Sequence, residues 1–190
     1  MPVCQFKIQL KDLNEPAIWR RLLVPPDIPF GMFHEIIQVA FGWQNYHLYQ
    51  FSPKGWSSQP LIQPQFDDGY DDNETIDSEE ITLAEIFTHA RQTFVYIYDF
   101  GDDWMHQVKL EKITDQVIGT AVCTGGGGAC PPEDCGGIWG YMNLLEVLAN
   151  PKHPDHKEMR EWLGLAKGEQ WDANAFDIEA VNEELRTMYV

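Results

Sequence analysis

Apolar and polar residues alternate strictly in Cys4-Gln5-Phe6-Lys7-Ile8-Gln9-Leu10, the period of a half-buried strand with Cys4 on its core side. Asn14-Glu15-Pro16 punctuates the pattern. Ile18 to Val24 then reads as the returning strand of a hairpin, ended by Pro25-Pro26. Asp27 is placed to cap a helix with Pro29 in its first turn, where the missing N–H costs nothing. Phe30, Phe33, Ile37, Ala40 and Phe41 recur at three- and four-residue steps, so one face of that helix is buried, and Gly42 is its expected stop. His47 to Phe51 predicts a third strand and Leu83 to Ala90 a short helix. Thr93 to Tyr98, apolar and aromatic after its first residue, predicts a strand covered on both faces. Phe100-Gly101-Asp102-Asp103 makes a turn into Trp104–Lys112. There Trp104, His106, Val108 and Leu110 share one side, and Gln107, Lys109 and Glu111 the other.

Strand, strand, helix, strand, short helix, strand, strand implies an α+β fold: a mostly antiparallel sheet backed by a helix, β-grasp-like in its opening. Gly125 to Gly128 and Gly136-Gly137 mark a glycine-rich link, beyond which the periodicity turns helical around Tyr141–Leu148, Met159–Leu163 and Ile178–Met188. The expected organisation is a sheet domain over 1–115, a Gly/Cys-rich link over 116–137, and a helical portion over 138–190. That last portion is expected to pack on the sheet as part of one domain.

Charge narrows the functional classes. Thirteen Lys and Arg against 30 Asp and Glu give a formal net charge of −17, which repels phosphate backbones and argues against generic nucleic-acid binding. No run of 18 apolar residues exists, so no membrane span is expected, and the strand-like N-terminus lacks the signal-peptide pattern; a cytoplasmic protein is the expectation. Nine acidic residues and no Lys or Arg lie between Lys54 and Arg91, most of them in the segment 66–80. No register there supplies the Asp/Asn ligands, sixth-position Gly and twelfth-position Glu of a calcium loop together, so a solvated acidic loop is favoured.

Two constellations carry possible chemistry. Cys123, Cys130 and Cys135 cluster as Cys-x6-Cys-x4-Cys in turn-rich sequence; with a fourth ligand they could hold zinc, whereas partly buried free thiols fit the irregular spacing better. Asp99, Asp102, Asp103 and His106 surround one tight turn, as metal ligands or acid–base groups on one reading and as turn caps beside a hydrogen-bonded His106 on the other. The second reading is favoured. Glu133 and Asp134 lie between two thiols, and a shared site is expected where their loop meets the Asp99–His106 turn beside Trp104, with His34 and His47 as further imidazoles. Arg20 and Arg21 are the only basic pair; alternation buries one of them, for which Asp99 or Asp102 is the expected partner. Asp99-Phe100-Gly101 spells a kinase triplet, but the companion motifs are missing.

Pro16-Ala17-Ile18-Trp19-Arg20-Arg21, Phe33-His34-Glu35-Ile36-Ile37-Gln38 with Ala40-Phe41-Gly42-Trp43, His47-Leu48, Tyr98 to His106 and Ala129 to Gly137 with Gly140-Tyr141 resemble the plasmid pRiA4b ORF-3-like family over nearly the whole chain. Members often carry His-Leu-His where this chain has His47-Leu48-Tyr49. The resemblance implies a plasmid or mobile-element passenger, and some members bear a resolvase-type label. This chain gives that label no support: its four Ser (Ser52, Ser57, Ser58, Ser78) stand beside no Arg, and five scattered Arg build no recombinase centre. The main functional expectation is a non-catalytic binding or interaction module that receives a protein segment or small ligand near Trp43, Trp104 and His106. The alternative is a metal-dependent hydrolase using the Asp99/Asp102/Asp103/His106 or the Cys123/Cys130/Cys135 cluster.

Overall fold

The computed structural model describes residues 2–65, 75–116 and 118–188. The greater part of the acidic segment, residues 66–74, lies outside them. The fold is α+β: one eight-stranded sheet with helices on one face. The hairpin β1 (Pro2–Asn14) and β2 (Ala17–Val24) opens the chain, followed by α1 (Phe30–Phe41) and β3 (Tyr49–Ser52). Then come β4 (Leu61–Gln63), β5 (Thr75–Asp77), α2 (Leu83–Ile86), β6 (Thr93–Tyr98) and β7 (Trp104–Asp115). The last elements are β8 (Val122–Gly127), α3 (Gly137–Ala149), α4 (His156–Trp162) and α5 (Ile178–Thr187).

The sheet runs β5-β4-β3-β6-β7-β1-β2-β8, antiparallel throughout except for the parallel pair β4·β5. Both neighbours of β1 are antiparallel, so the β-grasp-like expectation describes only the opening hairpin and helix. Register assigns the helix-covered face. Phe6, Ile8 and Leu10 of β1 stand beside Leu110, Val108 and His106 of β7, and Tyr96 and Tyr98 of β6 beside His106 and Trp104. All nine are 0–1% exposed, which puts Trp104 and Val108 in the core as their alternation requires. Phe30, Phe33, Ile36 and Ile37 of α1 complete the layer, with Phe30 edge-on to Phe51 at 5.0 Å and Phe33 tilted on Phe6 at 4.9 Å.

Two local expectations need correction. Asp27 does not cap α1: the cap position is Pro29, with no side-chain hydrogen bond, and Pro29 instead bridges to Thr82. Gly42 does stop the helix, at φ 95° with its N–H on the Gln38 carbonyl. The glycine-rich segment is more than a link, because Val122–Gly127 is the edge strand β8 paired to β2. Glycine suits that edge because a Cβ at Gly126 would lie 2.4 Å from the Phe176 ring, which packs over it. Asn182 of α5 closes the edge by accepting the Cys123 N–H (2.8 Å) and donating to the Cys123 carbonyl (2.9 Å), as a further strand would. The C-terminal helix thus packs on the sheet, with Leu185 fully buried.

Candidate functional site

Of the arginine pair, Arg20 is the one that points to the helix-covered face, opposite Ile8, but its partners are not carboxylates. Its guanidinium donates to the carbonyls of Ala40 (2.7 Å), Trp19 (2.9 Å), Gly127 (2.9 Å) and Gly128 (3.1 Å) and lies between the rings of Phe41 and Phe176. This is a structural clamp joining β2, α1, β8 and the C-terminal segment. Arg21, on the opposite face, holds Glu111 through Nε (2.7 Å) and Nη2 (3.1 Å). Neither arginine reaches Asp99 or Asp102.

His106 also leaves the expected constellation. It is 0% exposed beneath α1, edge-on to Phe41 (4.9 Å, 82°) and Trp43 (5.2 Å, 87°). Neither ring nitrogen has a partner in hydrogen-bond geometry among the described residues. Burial pushes its pKa down to about 3; interactions with the Trp104 and Tyr96 backbones oppose the fall, and the nearby positive charge of Arg20 adds to it. His106 is thus a buried neutral ring in an aromatic cage. Trp43 and Trp104 are equally enclosed, so the three do not form a surface pocket. His34 stacks on Tyr49 at 3.5 Å and bonds Tyr96 Oη (2.8 Å) and Asn45 Oδ1 (2.7 Å); burial pulls its pKa to about 4.

The thiols do not converge either. Among the described residues, no set of three metal-ligating side chains includes Cys123, Cys130 or Cys135. Cys123 lies in the core and donates to the Gly125 carbonyl (3.5 Å). Burial raises all three thiols, Cys135 to about 12 with Asp102 adding to the effect. β8 carries Cys123 into the sheet, while Cys130 and Cys135 stand on the loop that follows it.

The two loops nevertheless meet. Asp102 Oδ2 accepts the Gly136 N–H (3.0 Å), and Gly137 sits so close that a Cβ there would be 2.4 Å from the Asp102 carbonyl oxygen. Trp43 Nε1 donates to the Pro131 carbonyl (3.0 Å). At the junction stands His47, which enters β3 opposite the end of β6. Its Nε2 lies 3.2 Å from Asp134 Oδ1, 3.6 Å from Asp99 Oδ2 and 4.0 Å from Glu133 Oε2.

Turn geometry explains part of the carboxylate density. Asp99, Asp103 and Asp134 all have positive φ (54°, 54° and 56°), a region Asp tolerates better than most residues. Asp99 Oδ1 accepts the N–H groups of Gly101 (2.8 Å) and Asp102 (3.3 Å), so the cap reading holds for that oxygen. Asp103 Oδ1 accepts Trp56 Nε1 (2.8 Å). Glu133 Oε1 accepts Tyr98 Oη (3.0 Å) and the Gln44 N–H (2.9 Å), and burial with the Glu133 charge pushes the Tyr98 phenol up. Asp99 and Glu133 each keep a second oxygen turned to His47. The sequence signal for that histidine was its place at a strand mouth; nothing local tied it to residues 52 and 86 positions away.

A family model described as plasmid pRiA4b ORF-3-like protein matches residues 2–180. The uncharacterized protein y4hQ of Sinorhizobium fredii is 36% identical over 186 residues, covering 96% of this chain and 92% of its own. The crystal structure of MM3350 from Methanosarcina mazei Go1, described as a protein of unknown function, matches with a TM-score of 0.78 at 30% identity, over 94% of this chain and 96% of its own. The chain belongs to the plasmid pRiA4b ORF-3-like family.

Proposed function

We propose that this member of the plasmid pRiA4b ORF-3-like family is a binding module that docks a positively charged protein segment on the acidic surface around His47. The placement of exposed aromatic groups carries this reading. Tyr46 (68% exposed) and Leu48 flank His47, Phe100 follows Asp99, and Trp139 (81% exposed) stands on the first turn of α3, which opens beside Asp102. Trp56 packs edge-on to Phe100 at 5.0 Å while bonded to Asp103. Exposed aromatics gathered on the segments that bear a carboxylate cluster are the chemistry that receives Lys or Arg, through ring faces and opposite charge together. The net charge of −17 speeds encounter with such a partner. His106 is enclosed away from the turn carboxylates, and among the described residues the thiols belong to no three-ligand group. A cytoplasmic, plasmid- or mobile-element-borne setting belongs to this reading; four free cysteines support the compartment, and no described helix is long and apolar enough to cross a membrane.

Titration with an Arg/Lys-rich peptide, followed by Trp fluorescence, tests the proposal. Binding should weaken roughly tenfold in Trp139→Ala combined with Phe100→Ala, a loss of about 1.4 kcal/mol, and fall with salt. Equal binding of an acidic control peptide, or an unchanged affinity in the double variant, would overturn it.

A further inference from the structure

We propose that His47, Asp99 and Asp134 form a binding site for a first-row divalent metal ion, with Glu133 beside it. The inference goes beyond the docking surface and stands without it. It begins with the spacing of the ligand atoms. Around an ion with bonds of about 2.0–2.2 Å, neighbouring ligand atoms lie about 3 Å apart and opposite ones about 4.2 Å. The Asp134 and Asp99 oxygens lie 3.2 and 3.6 Å from His47 Nε2, inside that window. The ligand atoms of His47, Asp99 and Asp134 are all within 4.8 Å of one another.

Hydrogen bonding does not account for the arrangement. His47 Nε2 and Glu133 Oε2 are both shielded from water, and among the described residues neither has a hydrogen-bond partner, although they face each other at 4.0 Å. Buried polar atoms are normally paired, and an unpaired imidazole nitrogen facing carboxylate oxygens is placed to ligate a cation. The side chains of Asp99 and Glu133 are only 10% and 11% exposed. Each is anchored by its other oxygen, Asp99 on the Gly101 and Asp102 N–H groups and Glu133 on Tyr98 Oη and the Gln44 N–H. Outer partners of this kind orient the inner ligand atom. Asp134, 70% exposed, leaves an open side by which the ion enters.

Charge and donor type identify the ion's class. Two carboxylate ligands match the charge of a divalent ion. The imidazole nitrogen favours zinc or iron(II) over the oxygen-preferring magnesium, calcium and manganese. Glu133, Asp102 and Asp103 remain outside the ligand set to face a basic partner, so the two proposals are compatible.

Equilibrium dialysis of zinc against the full chain, purified without a histidine tag and stripped with chelator, tests the site. One equivalent should bind, raise the melting temperature of the wild type, and remain when Cys123, Cys130 and Cys135 are replaced by Ser. Affinity should fall at least tenfold in His47→Ala and in Asp134→Asn, the latter a surface change that leaves the metal-free melting temperature unaltered. No stoichiometric zinc, or zinc retained at wild-type affinity in both variants, overturns the site. Zinc binding by a protein that ignores basic peptides would uphold the metal site and sink the docking surface, so the two failures are distinguishable.

Discussion

His106 is enclosed beneath α1 by Phe41, Trp43 and Tyr96, whereas His47, two strands away at the mouth of β3, faces three carboxylates. The same side chain serves as an apolar filler in one region and as a polar hub in the other. The difference comes from what each strand position meets. Along β7 the inward residues run under a helix whose inner face is mostly aromatic or aliphatic, so an imidazole there must shed its charge. At the strand mouths the helix has ended at Gly42, and the loops that fill the space bring Asp and Glu instead of Phe and Ile. Residue type therefore says little about chemistry until the end of the sheet is known.

Acidification draws the contrast most strongly. His34 and His106 have folded pKa values near 4 and 3, below their unfolded value of 6.5, so between those limits the unfolded chain binds protons that the folded chain refuses. Their contribution is complete above about pH 6.5 and is lost as the pH falls, at about 1.4 kcal/mol per unit for each. Two units of acidification should cost the pair about 5 kcal/mol in denaturant titrations, and His106→Phe should remove about half of that slope. A variant with the wild-type slope would break the assignment of His106 as a buried neutral ring.

Next in size is the packing of the enclosed region. Trp104→Ala removes a side chain that is 0% exposed and should cost about 3–5 kcal/mol, a drop in melting temperature of roughly 10 °C. A melt indistinguishable from wild type would mean that the region is not the close-packed core described. The smallest effect belongs to the loop end. Gly137→Ala puts a methyl group against the Asp102 backbone at a φ of 66° and should cost about 1–3 kcal/mol. It should also weaken zinc and peptide binding, because the turn and the 130–136 loop are pressed together there. Full stability with unchanged binding would show that this contact does not set the geometry of the site.

Much of the enclosed region was legible because it is periodic. Cys4 to Leu10 and Trp104 to Leu110 alternate over several residues, and register then needs only one face to be buried. The meeting of the two loops was also readable, from the expense of placing Asp-Phe-Gly-Asp-Asp and Pro-Pro-Glu-Asp where packing has no use for them. Other elements left no such trace. β4 and β5 are three residues each, too short to show a period, and β8 hides in glycines that carry no side chains to alternate.

By itself, then, the sequence determined the opening hairpin, the apolar face and stop of α1, the buried side of β7, and the family to which the chain belongs. Tertiary structure decided the partners. It gave Arg20 four carbonyls in place of a carboxylate, sent Cys123 into the sheet, closed His106 under α1, and brought His47 to Asp99, Glu133 and Asp134 from far along the chain. The physical reason is range. Alternation and turn chemistry act over a few residues and fix which side a group faces, whereas a charge is neutralised by whatever the assembled sheet and loops bring to within a few ångströms.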